Sequence, residues 1–298
     1  MGRLTLPNFL IVGAAKAGTT SLHQYLAQHP EVYMSKIKEP QYFVHGLSPK
    51  WAARDVLYYS GLFEGADGRK AIGESSTAYL PCEASPGLIH RTLGDIKIII
   101  MLRNPSLRAF SMYGWNVMEG YETARTFREA LELEEERVRS VEFREWCPNY
   151  LPEYLYYRTG LYHDQVKRYL DEFPAGHVRM FLFEDFIKAP VETCQEVFRF
   201  LGVDAGFKPE IKVHNKGRIP YSPRLQWRLR KIAEFSTHWF PKPVRRLSEQ
   251  LMDLNIARGR TVRIPADCLA MLDRRYRPGF PALQELTGLD VQARWVQK

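Results

Sequence analysis

The chain has little of what would place it in several common classes. Four Cys in 298 residues, with no CxxC spacing, leave too few thiols for a disulfide-stapled secreted module or a cysteine-rich zinc site. A cytosolic setting is the expectation. No apolar run reaches the roughly 18 residues that a membrane-spanning helix needs. The longest, Ile96 to Leu102, contains Lys97 and has the length of a strand. The apolar stretch near the N-terminus is too short for a secretion signal and runs directly into a glycine-rich turn. There is no internal repeat, homopolymer tract or heptad array, so a solenoid or long coiled coil is not expected. Nothing in the sequence marks either end as belonging to a complete parent protein.

What is present reads as an ordinary globular protein, with 45% hydrophobic and 26% charged residues. The charge is unbalanced, with 42 Lys and Arg against 34 Asp and Glu, which points to a polyanionic or phosphate-bearing partner. Strand-like and helix-like segments alternate. Strands are expected at Phe9–Gly13, Ala71–Glu74, Ile96–Leu102 and Val178–Phe183. Helices are expected at Gly18–Gln28, Ser106–Val117, Arg125–Arg144, Leu161–Phe173 and Pro190–Leu201. This alternation predicts an α/β fold around a parallel sheet. No clean linker appears, so one domain is expected over residues 1–298. Its core would span about residues 8–220, followed by a helical C-terminal elaboration over about 221–298.

Gly13 to Ser21, GAAKAGTTS, follows a strand and opens a helix, which aims successive backbone N–H groups and a positive helix end at one point. That is phosphate-binding geometry. The usual nucleotide-triphosphate loop is GxxxxGK[ST]; here Lys16 lies inside the loop and Thr19 takes the usual lysine position. Lys16 can reach a bridging oxygen or leaving phosphate, while Thr19, Thr20 and Ser21 offer hydroxyl donors. A magnesium-dependent phosphoryl-transfer enzyme would place an acid at the end of a later strand. The Ile96–Leu102 strand instead ends in Arg103, with Arg108 and Ser111 following, a set suited to a second phosphate without a metal.

These separated motifs resemble the sulfotransferase family that uses 3′-phosphoadenosine 5′-phosphosulfate (PAPS), especially its bacterial and heparan-type branch. Phe9 to Tyr25 is similar to the family's 5′-phosphosulfate loop, and Lys38-Glu39-Pro40-Gln41-Tyr42-Phe43 to its KEPxxF segment. Arg103-Asn104-Pro105 with Ser111 resembles the 3′-phosphate motif. Tyr157 to Tyr162, Phe181 to Phe186 and Asn215 to Arg218 continue the match in order. The resemblance implies a P-loop-like three-layer fold and no required metal, with PAP as the donor product. It implies that Ala15, Lys16, Ala17, Gly18, Thr19, Thr20 and Ser21 hold the 5′ end of the donor. Arg103, Ser111, Lys216, Gly217 and Arg218 would hold the 3′-phosphate, and Arg158 and Tyr162 would lie near the adenine.

For the reaction, the resemblance makes Glu74 the general base, Lys16 the principal electrostatic catalyst and Lys38 a group that orients the sulfonate or acceptor. The chain departs from the heparan-type pattern at Ser75, where that branch commonly carries Lys. Among the eight His, none has a diagnostic partner at short spacing; His45 borders the Lys38 segment and is a rival base, whereas His23 reads as a packing residue. The expected acceptor is a hydroxyl or amine of a glycan, a small metabolite or natural product, or a carrier-bound group, with Trp115 to Pro152 shaping the choice. Two other readings are a metal-dependent phosphoryl-transfer enzyme and a noncatalytic adenosine-bisphosphate-binding protein. The Arg- and aromatic-containing stretch from Tyr221 to Arg246 reads either as a face for nucleic acid or anionic membrane, or as ordinary helices covering a core. The phosphate motifs already account for positive sites, so no nucleic-acid partner and no transmembrane association are expected.

Overall fold

The computed structural model describes residues 4–44, 55–147, 150–212, 220–239, 242–257 and 263–296. The chain divides into two compact units. The first draws on Met1–Pro105, Leu161–His214 and Tyr276–Lys298, the second on Ser106–Gly160 and Asn215–Arg275. The C-terminal quarter is therefore shared between them.

The first unit is built on a five-stranded parallel sheet, the arrangement that the alternating pattern predicts. Its strands are β1 (Phe9–Gly13), β2 (Val32–Met34), β3 (Ala71–Ser75), β4 (Lys97–Leu102) and β5 (Val178–Leu182), in the spatial order β2-β3-β1-β4-β5. Two of these strands are continuous apolar runs because a parallel sheet covered by helices is buried on both faces. All five residues of β1 are buried, as are Ile98 to Leu102 of β4. Sequence periodicity misses β2, whose three residues are too few to show a pattern. It also misses the Ser85–Leu93 helix, which starts with Pro86 in its first turn.

This strand order fixes where chemistry can occur. From β1 the chain first fills one side of the sheet with β2 and β3, then crosses to β4 and β5 on the other. The switch lies at β1, between β3 and β4, and ligands of such sheets bind beyond the carboxyl ends of the strands flanking it. The residues leaving β1, β3 and β4 are the Gly13 loop, Glu74 with Ser75, and Arg103. They are distant in sequence; Gly13 pairs with Ile100 near the end of β4, whereas Glu74 lies level with Leu10 and Ile98, further back along the sheet.

The second unit is helical. Its interior contains a buried ion pair, in which both Arg137 terminal nitrogens donate to Glu122, at 2.5 and 3.1 Å. Tyr156 donates to the same carboxylate at 2.5 Å. Burying two charges is tolerable only with such full pairing. The Pro223–Trp239 helix is tied to the end of the Pro105–Glu119 helix through Gln226 and Arg230. Among the described residues, no helix is long and apolar enough to cross a membrane.

Candidate active site

The loop after β1 owes its shape to two glycines. Gly18 has φ +83°, and a Cβ there would lie 2.9 Å from Cδ2 of Phe183, so the position excludes larger residues on two grounds. Gly13 is equally confined, because a Cβ would meet that of Leu80 at 2.6 Å. The loop is stitched to the sheet by Ala14 N–H donating to Met101 O at 2.6 Å and closed by Ala17 N–H donating to Ala14 O at 3.2 Å. Lys16 sits at its apex in a left-handed conformation, φ 66°, which costs a side-chain-bearing residue about 1–2 kcal/mol. Such strain collects at sites where a side chain must be aimed.

Helix α1 (Thr19–Leu26) begins with no side-chain cap. The first-turn N–H groups of a helix have no intrahelical acceptor, so those of Thr19, Thr20 and Ser21 are suited to an anion. Thr20 and Ser21 are partly exposed, as are Ala15 and Lys16, whereas Thr19 and Ala17 are buried.

Arg103 joins the second anion motif to the first. Its Nη1 donates to the Lys16 carbonyl at 2.8 Å, and its guanidinium lies over the Phe183 ring, 4.6 Å from the centroid. Tyr162, expected near the adenine, is buried and donates its hydroxyl to the Arg103 carbonyl at 3.0 Å. The following turn is held by Glu184, which accepts from Asn104 N–H at 2.9 Å and from the Trp295 indole at 3.0 Å. Glu184 lies in the Phe181 to Phe186 stretch and fixes the direction in which the chain leaves Arg103.

Around the end of β3 lies a cluster of titratable groups. Glu74 is fully buried, and its carboxylate accepts from Tyr79 (2.7 Å), Ser76 (2.8 Å) and Tyr59 (3.3 Å). Burial pushes its pKa up from 4.5 to about 8, against the opposing pull of those hydroxyl donors and with a smaller push from the Glu39 charge. A carboxyl so placed is a stronger base than an exposed one, and it is enclosed rather than open to solvent.

The Lys38 segment docks onto the same strand end. Glu39 N–H donates to Ser75 O at 3.0 Å, and Gln41 N–H donates to the Ser76 hydroxyl that in turn contacts Glu74. Lys38 is paired with Glu39 at 2.6 Å, and Glu39 also accepts from Thr77 N–H at 2.7 Å and Thr77 Oγ1 at 3.1 Å. Glu39 thus anchors Lys38, a function that only the tertiary contact reveals. His23, which the sequence reads as packing, has its Nδ1 3.0 Å from the Ser75 hydroxyl. Its pKa is lowered to about 4, first by burial and then by the Lys38 charge, so the imidazole is neutral near pH 7.

Ser111 and Arg158 belong to the second unit. Ser111 is partly exposed on the Pro105–Glu119 helix, while Arg158 pairs with Glu135 at 2.6 Å and its N–H donates to Glu134. Lys216, Gly217, Arg218 and His45 lie outside the described residues. Among the described residues, no three His, Cys, Asp or Glu side chains converge as a metal site would require.

Known proteins that resemble the chain point to one family. Residues 6–216 match the sulfotransferase domain family. A solved sulfotransferase from Alicyclobacillus acidocaldarius is 36% identical, with a TM-score of 0.64 over 84% of this chain and 96% of that one. The membrane-associated sulfotransferase kil1 of Dictyostelium discoideum is 33% identical over 116 residues, 38% of this chain and 24% of that protein. The mouse heparan sulfate glucosamine 3-O-sulfotransferase 6 is 28% identical over 202 residues, 68% of this chain and 54% of that one. The chain thus spans about a quarter to about half of these curated relatives. With a parallel sheet whose switch point carries the Gly13 loop beside Arg103, and a family match over most of its length, the chain belongs to the sulfotransferase family, resembling its bacterial and heparan-type members.

Proposed function

We propose that the protein transfers a sulfonate group from PAPS to a hydroxyl or amine acceptor, releasing PAP. One observation carries this reading: the Arg103 side chain bonds the Lys16 carbonyl, so two separate anion-binding motifs form one surface beyond the switch point of the sheet. A donor with phosphate groups at both its 5′ and 3′ ends matches such a surface.

In this reading, the first-turn N–H groups of α1, the loop backbone from Ala15 to Gly18, and Thr20 and Ser21 hold the 5′-phosphosulfate. Arg103, with Ser111 and Lys216-Gly217-Arg218, holds the 3′-phosphate. Tyr162 acts by bracing Arg103, and Arg158 stays assigned to the adenine side. An acceptor lone pair attacks sulfur in line, the bond between sulfur and the bridging phosphate oxygen breaks, and Lys16 stabilises the charge that develops on that oxygen. Lys38 orients the sulfonate, held by Glu39.

The acceptor's proton goes to Glu74, whose basicity is raised toward neutral pH as a general base requires. Because Glu74 is enclosed, the Tyr59, Tyr79 and Ser76 hydroxyls must move aside for an acceptor to reach it. One observation favours a second assignment: His23 is neutral and only partly buried beside Ser75. Glu74→Gln and His23→Asn separate the two, since only the true base variant lowers kcat without changing donor KM.

The heparan sulfate names of several relatives make amino-sugar hydroxyls and amines the first acceptors to try. The test is an acceptor screen with isotopically labelled PAPS in the presence of chelator, read by mass spectrometry. Label in any acceptor supports the reading. A strict need for a divalent metal with a nucleoside triphosphate would replace it with phosphoryl transfer, and PAP binding without transfer to any acceptor would make the protein a nucleotide binder.

A further inference from the structure

Apolar exposure is concentrated on one element of the second unit. The Pro223–Trp239 and Lys242–Ala257 helices form an antiparallel hairpin, with Tyr221 N–H donating to Asn255 O at 3.0 Å and Asn255 Nδ2 donating to Gln226 Oε1 at 2.8 Å. The seam is filled by Leu229, Ala233 and Met252. Gln226 and Arg230 fasten the first helix to the backbone of Met118 and Glu119. Neither contact uses the remaining large apolar residues.

Leu225 and Ile232 on the first helix are 45% and 46% exposed, and Leu247, Leu251 and Leu254 on the second are 57%, 41% and 56% exposed. At 100° per residue, Leu225 and Ile232 fall within about 20° of one another, and the three leucines within about 60°. Each stripe flanks the buried seam of its helix. Each helix thus carries an exposed apolar stripe rather than the scattered exposure normal for soluble proteins.

The charge beside these stripes selects the occupant. Residues 220–257 contain seven Lys and Arg against three Asp and Glu, and the first helix has no acid before Glu234. Arg224, Arg228 and Arg246 are exposed. Leucines flanked by guanidiniums suit an interface in which apolar side chains enter the acyl boundary while cations meet anionic headgroups. A two-fold contact with a second copy would bring this basic rim against itself. Nucleic acid would be held mainly by stacking aromatics, whereas five of the seven exposed large apolar residues described between Tyr221 and Leu254 are Leu or Ile.

We propose that the hairpin docks the protein on the surface of a bilayer containing anionic phospholipid, without crossing it. The test is co-sedimentation of the full chain with phosphatidylcholine vesicles with or without about 30% phosphatidylserine, at low and high salt. Binding to the anionic vesicles should be at least about tenfold tighter than to phosphatidylcholine alone and should weaken with salt. Leu247→Asp with Leu251→Asp, and separately Arg224→Glu with Arg228→Glu, should each reduce it at least about tenfold with unchanged circular dichroism. If the leucine variant fails to fold, the arginine pair and the salt series still decide.

Equal binding to both vesicle types, or variants that bind like the parent, would overturn the proposal. So would a dimer in ultracentrifugation that the leucine variant dissolves, or an oligonucleotide held by the same residues. None of these residues is assigned to donor binding or catalysis, so a failure here leaves the sulfonation reading standing.

Discussion

Glu74→Gln should separate the energetic cost of the buried carboxylate from its chemical use. Glu74 ionises near 4.5 in the unfolded chain and near 8 in the folded protein, where burial outweighs its three hydroxyl donors. Between those values the folded protein retains a proton that unfolding releases. The stabilisation from holding the neutral carboxyl is therefore complete below pH 4.5 and lost as pH rises through 8. At 1.4 kcal/mol per pH unit, that loss is about 5 kcal/mol once the group is fully ionised.

Gln is neutral at every pH and nearly the same shape. The stability difference between the variant and the parent should therefore move in the variant's favour by several kcal/mol from pH 5 to pH 9, in urea unfolding followed by tryptophan fluorescence. At pH 8 and above, where the parent's carboxylate is ionised, the variant should lose about 10²–10⁴-fold in kcat, the contribution of a general base, with donor KM unchanged. The parent's kcat/KM should rise with pH toward 8. A stability difference independent of pH would refute the burial argument. A kcat/KM flat down to pH 5 would move proton removal from Glu74 to His23, which titrates near 4.

Three further substitutions probe the donor surface. Arg103→Lys keeps a charge but loses the planar fork bonded to Lys16 and stacked on Phe183, so donor KM should rise about tenfold or more with little change in kcat, measured by initial rates. Gly18→Ala must hold Ala at φ +83° with its Cβ against Phe183; it should cost about 1–2 kcal/mol in urea unfolding from the left-handed backbone alone and raise donor KM. Glu39→Gln removes the charge that anchors Lys38, and kcat should fall more than donor KM rises, with partial recovery in Glu39→Asp.

Much of the fold was legible because parallel strands buried on both faces must be written as apolar runs. Phe9–Gly13 and Lys97–Leu102 carry that signature, and each is found as a strand. Val32–Met34 does not, since three residues carry no period, and β2 takes its place through pairing with β3. Gly18, Lys16 and Arg103 stood out because loop geometry and phosphate chemistry restrict residue type at those points. Glu39 and Glu184 did not stand out, nor did the contact of Tyr162 with Arg103. Each acts through a partner 38 or more positions away, and such distances leave no local pattern.

The sequence by itself determined that this is a parallel α/β sulfotransferase with an anion-binding loop after its first strand and an arginine at the end of a later one. Both features are local, set by backbone sterics and by short-range spacing. Only the tertiary structure decided the state of the groups at the end of β3. The Tyr59, Tyr79 and Ser76 hydroxyls converge on one enclosed carboxylate, and burial, with a smaller push from the Lys38 charge, holds His23 neutral. Ionisation depends on desolvation and on charges brought together in space, so the same Glu and His would titrate normally in an extended chain.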